Sequence, residues 1–185
     1  MHERKPHFQP IALGLTFAAA LLRLAPHPPN FAPVGSIALF GGAKLKGWQA
    51  YLIPLLAMLI TDPILSRLAG YPAYSKATPV IYFSFLIYVT LGRFLLQHHS
   101  GPLRIASVAA LGSFQFFIVT NLFEWWQGLS MYPHTLTGLS ACYAAALPFF
   151  SRTLIADLFY SGVLFATYAL LSRRSAHIAR RPAEL

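Results

Sequence analysis

The chain has 185 residues, of which 56% are hydrophobic, 15% aromatic and only 10% charged. Soluble domains carry about 25% charged residues, so this composition excludes a disordered chain and argues against a soluble globule. The formal net charge of +9 does not indicate nucleic-acid binding, because the basic residues are scattered between apolar runs. We therefore predict one integral membrane domain over residues 1–185.

The first apolar run follows a basic segment, as in a secretory signal peptide. Arg23 and the prolines after it make a poor cleavage site, however, and five more apolar runs follow. We predict that this run is retained as the first membrane helix.

Six segments are candidates for membrane-spanning helices, each of which needs about 20 apolar residues. They lie near residues 10–25, 34–43, 48–65, 80–96, 105–123 and 153–171. The second is too short to span by itself, so it either extends from Asn30 to Leu45 or is a broken segment lodged between its neighbours. A further apolar stretch, Leu139–Phe150, predicts a short re-entrant or interfacial helix. The expected fold class is an all-α bundle of six transmembrane helices.

The distribution of lysine and arginine predicts the orientation of the bundle. With both termini in the cytoplasm, about ten basic residues lie on the inner side and four (Arg23, Arg67, Lys76 and Arg152) on the outer side. This agrees with the positive-inside rule. We expect a multi-pass membrane protein with both ends inside.

The outer connections contain most of the residues suited to ligand chemistry. The first, residues 26–33, has four prolines together with His27 and Asn30. Each proline fixes φ, so this segment is either a rigid connector or a preorganised wall that holds the two polar side chains over a pocket.

Three acidic residues, Asp62, Glu124 and Asp157, lie beside or inside apolar runs. An ionisable group in such a position is costly and is normally paired or faces a cavity. They form either structural ion pairs that lock helix ends or part of a ligand site. We expect Asp157 to be the structural partner of Arg152.

Aromatic residues near the predicted outer face have two interpretations as well. They form either an interfacial belt or a stacking surface for a ligand. The residues concerned are Tyr71, Tyr74, Trp125, Trp126 and Tyr132.

Small residues recur four positions apart at Gly14 and Ala18 and at Gly162 and Ala166, a spacing that lets helices approach closely in lipid. Internal packing is the favoured interpretation, and a docking face for a partner membrane protein is the alternative for the first pair. A phosphate-binding loop and the common hydrolase motifs are missing from the sequence. We predict no cofactor and no metal site.

Several strings resemble a bacterial membrane family of unknown function, DUF6580. They are RLAPHPPNFAPV (23–34), ALFGGA (38–43), MYPHTL (131–136), CYAAALPFF (142–150) and TLIADLFY (153–160). The family is in turn similar to the S component of energy-coupling-factor (ECF) vitamin transporters. That resemblance implies a six-helix fold, a ligand held near the extracellular face and an energising ECF module as partner.

A related solitary type takes up cobalamin with a cysteine in the loop between the third and fourth spans. Residues 62–79 contain no cysteine here, which argues against cobalt–thiolate ligation and leaves His27 as an alternative nitrogen ligand.

The leading hypothesis is a multi-pass transport protein of the bacterial inner membrane that binds a small, vitamin-like molecule from the outer face. It would move this molecule inward, alone or with a shared energising module. The predicted ligand-binding residues are His27, Asn30, Asp62, Tyr74, Trp125, Trp126, Tyr132 and Arg152. One alternative is an intramembrane enzyme that uses Asp62, Glu124 and His27 as acid and base. Another is a non-catalytic assembly subunit, in which salt bridges consume the outer polar groups and leave no cavity.

Overall fold

A computed structural model of the chain describes residues 9–70, 72–127 and 132–179, which form helices and no strand. The helices are α1 (Gln9–Leu22), α2 (Val34–Lys44), α3 (Gln49–Ala69), α4 (Thr78–Leu91), α5 (Pro102–Trp126) and α6 (Leu136–Ala179). A π-helical segment, Gly92–Leu96, continues α4. Helices suit a lipid environment because each satisfies its own backbone hydrogen bonds. The predicted all-α class is confirmed.

Four of these helices are long and apolar enough to cross a membrane. They are α3, α4 with its π-helical extension, α5 and α6, whose most apolar stretches have a mean hydropathy between 1.4 and 1.7. Helix α1 is apolar but shorter. The chain is an all-α membrane protein.

Helix α2 is the centre of the bundle. Every residue from Val34 to Ala43 is buried, and α2 packs against all five other helices. Its 11 residues extend only about 16 Å, whereas the hydrocarbon core of a bilayer is about 30 Å thick. Of the two alternatives for the second apolar segment, the structure therefore shows the short helix lodged between neighbours.

Contacts between connections define two ends of the bundle. At one end, Lys44 Nζ donates to Ser100 Oγ at 3.2 Å, which joins the end of α2 to the connection 97–101. At the other end, Arg23 pairs with Asp62 near the end of α3. We call this second end, formed by residues 23–33 and 72–77, the loop end.

The prediction of a separate short helix over Leu139–Phe150 is wrong, because these residues belong to α6. The helix runs without a break from Leu136 to Ala179 and includes Pro148. Its first turns lie against α5, where Tyr143 Oη donates to the Ile118 carbonyl at 2.8 Å. Pro148 removes one backbone hydrogen bond from the helix, yet the helix continues through it. The 44 residues extend about 66 Å, so α6 is longer than the hydrocarbon core is thick.

Two glycines allow α2 and α4 to approach each other closely. A Cβ atom on Gly42 would overlap the carbonyl oxygen of Val89, and a Cβ on Gly92 would overlap the carbonyl oxygen of Leu39. The contact is between backbones, so a flexible side chain cannot relieve it.

The small-residue pairs identified in the sequence lie on α1 and α6 and not at the contact between α2 and α4. The expectation that they pack internally is wrong. Gly14, Ala18, Gly162 and Ala166 are all exposed, and a Cβ on Gly14 or Gly162 would meet no atom within 4 Å. A four-residue spacing puts two residues on one helix face but does not say which way that face points.

Replacing Gly42 with alanine is expected to destabilise the fold. Inserting a methyl group into a packed interior costs about 1–3 kcal/mol, and a protein of this size loses about 2–4 °C in Tm per kcal/mol. Thermal unfolding of purified Gly42→Ala in detergent, followed by tryptophan fluorescence, measures the loss. Gly14→Ala is the matched control and keeps or slightly raises the Tm, because alanine favours the helix and meets no atom there. Equal Tm values for the two variants would contradict the close approach of α2 and α4.

Candidate ligand-binding site

A cavity of about 370 Å³ opens at the loop end. The connection between α1 and α2, the first turn of α2 and the facing parts of α3, α4, α5 and α6 surround it. Ligand pockets in proteins generally measure about 300–1,000 Å³, so this cavity is large enough for a small organic molecule.

Asp157 on α6 forms the floor of this cavity. The residue is only 2% exposed. Tyr88 Oη donates a hydrogen bond to its Oδ2 at 2.5 Å, and Ser113 Oγ donates to the same oxygen at 2.7 Å. Both carboxylate oxygens lie beside Gly35, where any Cβ atom would overlap them. The carboxylate is thus held by groups from α2, α4 and α5.

A second set of hydrogen bonds holds the backbone at Asp157. Ser36 Oγ donates to the Asp157 carbonyl oxygen at 3.1 Å, and Ser161 Oγ donates to Ser36 Oγ at 3.0 Å. Both serines are fully buried. They fix α6 against the start of α2, and the floor of the cavity is therefore rigid.

An ion pair forms one wall of the cavity nearer its opening. Arg23 Nη2 lies 2.5 Å from Asp62 Oδ1, and each side chain is 14% exposed. Arg23 also donates to Thr61 Oγ1, and Tyr82 Oη donates to Asp62 Oδ2 at 2.6 Å. These contacts tie the end of α1 to α3 and α4. Asp62 is both a structural ion-pair partner and a cavity-lining residue.

His27 and Asn30 line the cavity from the proline-rich connection. The two ring nitrogens of His27 lie 3.1 Å from the carbonyl oxygens of Arg23 and Pro28, so backbone groups hold the ring in place. Asn30 has a φ of 63°, which asparagine adopts more readily than most residues. The connection is thus a rigid turn and a cavity wall at once, and the two interpretations of its prolines are compatible.

Tyr74 and Arg152 do not line this cavity. Tyr74 is 47% exposed, and its Oη donates to the carbonyl oxygen of Leu59 at 3.1 Å. Arg152 is exposed on α6. Its predicted pairing with Asp157 is wrong, because Asp157 bonds instead to Tyr88 and Ser113. Five positions on a helix correspond to a rotation of about 500°, which turns the two side chains about 140° apart.

The remaining aromatic candidates belong to the hairpin between α5 and α6. Trp125 Nε1 donates to the Pro133 carbonyl at 2.9 Å and so closes the hairpin. Trp126 is 68% exposed, as in an interfacial belt, and Tyr132 is half-buried in the connection. None of them lines the cavity. Tyr71 lies outside the described residues.

The acid–base candidates Asp62, Glu124 and His27 do not contact one another. Asp62 bonds to Arg23 and Tyr82, His27 contacts backbone carbonyls, and Glu124 accepts a hydrogen bond from Gln127 at 2.5 Å. The described residues therefore contain no acid–base pair among these three. The assembly-subunit alternative predicted that salt bridges consume the outer polar groups and leave no cavity. The structure instead has a cavity beside the Arg23–Asp62 ion pair.

Residues 4–180 match the family model described as "Family of unknown function (DUF6580)". The chain belongs to the DUF6580 family. The match confirms the assignment made from the sequence strings. No curated protein and no solved structure matches the chain.

Sequence reasoning missed several residues of the site in the DUF6580 protein. Tyr82, Phe85 and Tyr88 all line the cavity, and their spacing of three residues puts them on one face of α4. That spacing is visible in the sequence and could have singled out the two hydroxyl groups. Nothing in the sequence singles out Ser113 or Gly35, because their role comes from their position opposite Asp157.

Tyr88→Phe is expected to destabilise the protein more than Tyr143→Phe. The first variant removes a hydrogen bond to a carboxylate, worth about 1.5–3 kcal/mol, and the second removes one to a neutral carbonyl, worth about 0.5–1.5 kcal/mol. Thermal unfolding in the same detergent compares the two. A larger loss of Tm in Tyr143→Phe would contradict the assignment of Tyr88 as a donor to Asp157.

Two substitutions of Asn30 separate its backbone role from its side chain. Asn30→Gly is expected to keep or slightly raise the Tm, because glycine adopts a φ of 63° without strain. Asn30→Val is expected to lose about 1–3 kcal/mol, because a β-branched residue is strained there. Thermal unfolding measures both. If Asn30→Val is as stable as Asn30→Gly, the turn does not depend on this conformation.

Proposed function

We propose that this DUF6580 protein binds a small molecule in the loop-end cavity and carries it across the membrane. The observation that supports this most directly is the cavity itself, which has a buried carboxylate at its floor inside a bundle of apolar helices. Ionisable groups inside membrane bundles commonly mark substrate or ion pathways. Three of the residues selected from the sequence, His27, Asn30 and Asp62, line the same cavity.

The size and chemistry of the cavity favour a small ligand. Its volume of about 370 Å³ is near the lower limit for ligand pockets. A molecule as large as cobalamin exceeds that volume, whereas a smaller vitamin-like compound fits. Apolar side chains such as Met58, Ile81, Phe85 and Phe116 line the cavity beside the polar groups, so a ligand with an apolar body and a few polar atoms is expected.

The finer proposal is an S-component-like bundle of six helices in the bacterial inner membrane with both termini in the cytoplasm. Its support is the distribution of charge: Lys44, Lys46, Arg93 and Arg104 lie in or beside the connections at the end opposite the cavity. The positive-inside rule assigns such an end to the cytoplasm. In this orientation the cavity faces the outer side.

An energising ECF module is the proposed partner for transport. Exposed small residues on α1, Gly14 and Ala18, support it, because small residues let a partner helix approach closely in lipid. Phe17 and Leu21 are exposed on the same helix, at 67% and 53%. We do not propose a catalytic role, because Asp62, Glu124 and His27 do not contact one another.

Blocking the cavity tests the binding function. Thr153 lines the cavity, and phenylalanine at this position would fill part of it. We expect mass spectrometry after gentle purification to detect a small molecule with the wild type and at least tenfold less of it with Thr153→Phe. Ser151→Phe is the matched control, because Ser151 is exposed on the same helix, and it should keep the wild-type amount.

Three results would count against the proposal. They are a wild type that carries no molecule and binds no vitamin tested, a bound molecule that Thr153→Phe retains in full, and an equal loss in Ser151→Phe. A His27→Ala variant with unchanged affinity would remove only that residue from the site.

A further inference from the structure

We propose that the ligand of this cavity is an organic cation, held by the carboxylate of Asp157 against aromatic side chains. The inference rests on the proposed binding function and adds the chemical class of the ligand.

The first step is that Asp157 lacks a cationic partner. Within residues 9–70, 72–127 and 132–179, the ion pair found is Arg23 with Asp62. Asp157 is 2% exposed, and its carboxylate is bonded to the neutral hydroxyl groups of Tyr88 and Ser113. A buried charge is costly unless an opposite charge approaches it, and a cationic ligand would supply that charge.

The second step is the charge count of the cavity. The charged side chains that line it are Arg23, Asp62 and Asp157. Arg23 and Asp62 pair at 2.5 Å, so among the described residues Asp157 is the carboxylate of the cavity lining that has no lysine or arginine beside it. The other basic groups near the loop end, Arg67, Lys76 and Arg152, are exposed and do not line the cavity. Their charges therefore do not add to those of the cavity lining.

The third step is the hydrogen-bond pattern at the carboxylate. Both hydroxyl groups reach the same oxygen, Oδ2, and an ionised carboxylate accepts such bonds without donating any. Ser113 Oγ also lies 3.1 Å from the Ala109 carbonyl, but its contact with Asp157 is shorter, at 2.7 Å. The arrangement is compatible with an ionised carboxylate, and Asp157 is part of the cavity wall.

The fourth step is the aromatic wall around this charge. Phe85 lies 5.6 Å from Tyr88 and 5.2 Å from Phe116, measured between ring centroids, and all three line the cavity. Aromatic faces attract cations, most strongly where water is excluded. An ammonium group or a cationic nitrogen heterocycle with an apolar body matches both the carboxylate and the rings.

Three probes of nearly equal shape and different charge test this proposal. Choline is a cation, 3,3-dimethyl-1-butanol is its neutral analogue and 3,3-dimethylbutanoate is the anion. Binding to the purified full-length protein in a non-ionic detergent is measured by ligand-detected NMR. We expect the wild type to bind choline at least tenfold more tightly than either analogue.

Variants assign the preference to Asp157. Asp157→Asn is expected to lose at least tenfold in choline affinity and less than twofold in affinity for the neutral probe. Glu124→Gln is the matched control. Glu124 does not line this cavity but lines a neighbouring one that shares Asn30, Ile81 and Phe116 with it, so this variant should lose less than twofold in choline affinity. If Asp157→Asn does not fold, the order of the three probes in the wild type decides the question.

Equal binding of the three probes, or tighter binding of the anion, would overturn the proposal, as would a choline preference that survives in Asp157→Asn. If none of the probes binds, the molecule lost from Thr153→Phe decides: a cation supports the proposal, and a neutral or anionic molecule overturns it. These results leave the binding function intact. Failure of all three probes together with no molecule lost from Thr153→Phe would refute the binding function itself.

Discussion

The carboxylate of Asp157 is the group on which the arrangement of the bundle depends. A buried acid in an apolar bundle must be satisfied, and here the donors come from Tyr88 on α4 and Ser113 on α5. Serine hydroxyl groups on α2 and α6 hold the backbone next to it. Four helices are thus fixed relative to one another at one level, which is also the floor of the cavity.

Helix α2 makes this convergence possible. Because it is short and buried from Val34 to Ala43, the other helices can surround it. Gly35 leaves room for the carboxylate, and Gly42 leaves room for the backbone of α4. A larger residue at either place would push the helices apart and open the hydrogen bonds at Asp157. Packing in the centre and chemistry in the cavity therefore depend on the same small residues.

The polar groups of the cavity fall into two sets with different roles. Arg23, Asp62 and Tyr82 satisfy one another and tie three helices together near the opening. Within the described residues, the carboxylate of Asp157 accepts hydrogen bonds from neutral donors and has no ion-pair partner, which is the basis for proposing a cationic ligand. Although the chain has a formal charge of +9, Arg23 is the one lysine or arginine among the described residues that lines the cavity, and it is paired with Asp62.

Composition and local pattern were sufficient for the class of the protein. The scarcity of charge and the apolar runs predicted an all-α membrane protein, and the strings around His27 and Asp157 identified its family, because both signals lie in contiguous residues. The wall residues His27, Asn30 and Asp62 were found for a related reason: polar groups between apolar runs must gather where helices end. The partner of Asp157 could not be found in this way. Tyr88 and Ser113 are 69 and 44 positions away along the chain, whereas Arg152, the near neighbour chosen from the sequence, lies on another face of the helix. The tertiary structure also decided that the small pairs on α1 and α6 face outward and that α6 is continuous, because the direction of a helix face and the packing that accommodates Pro148 are set by neighbouring helices.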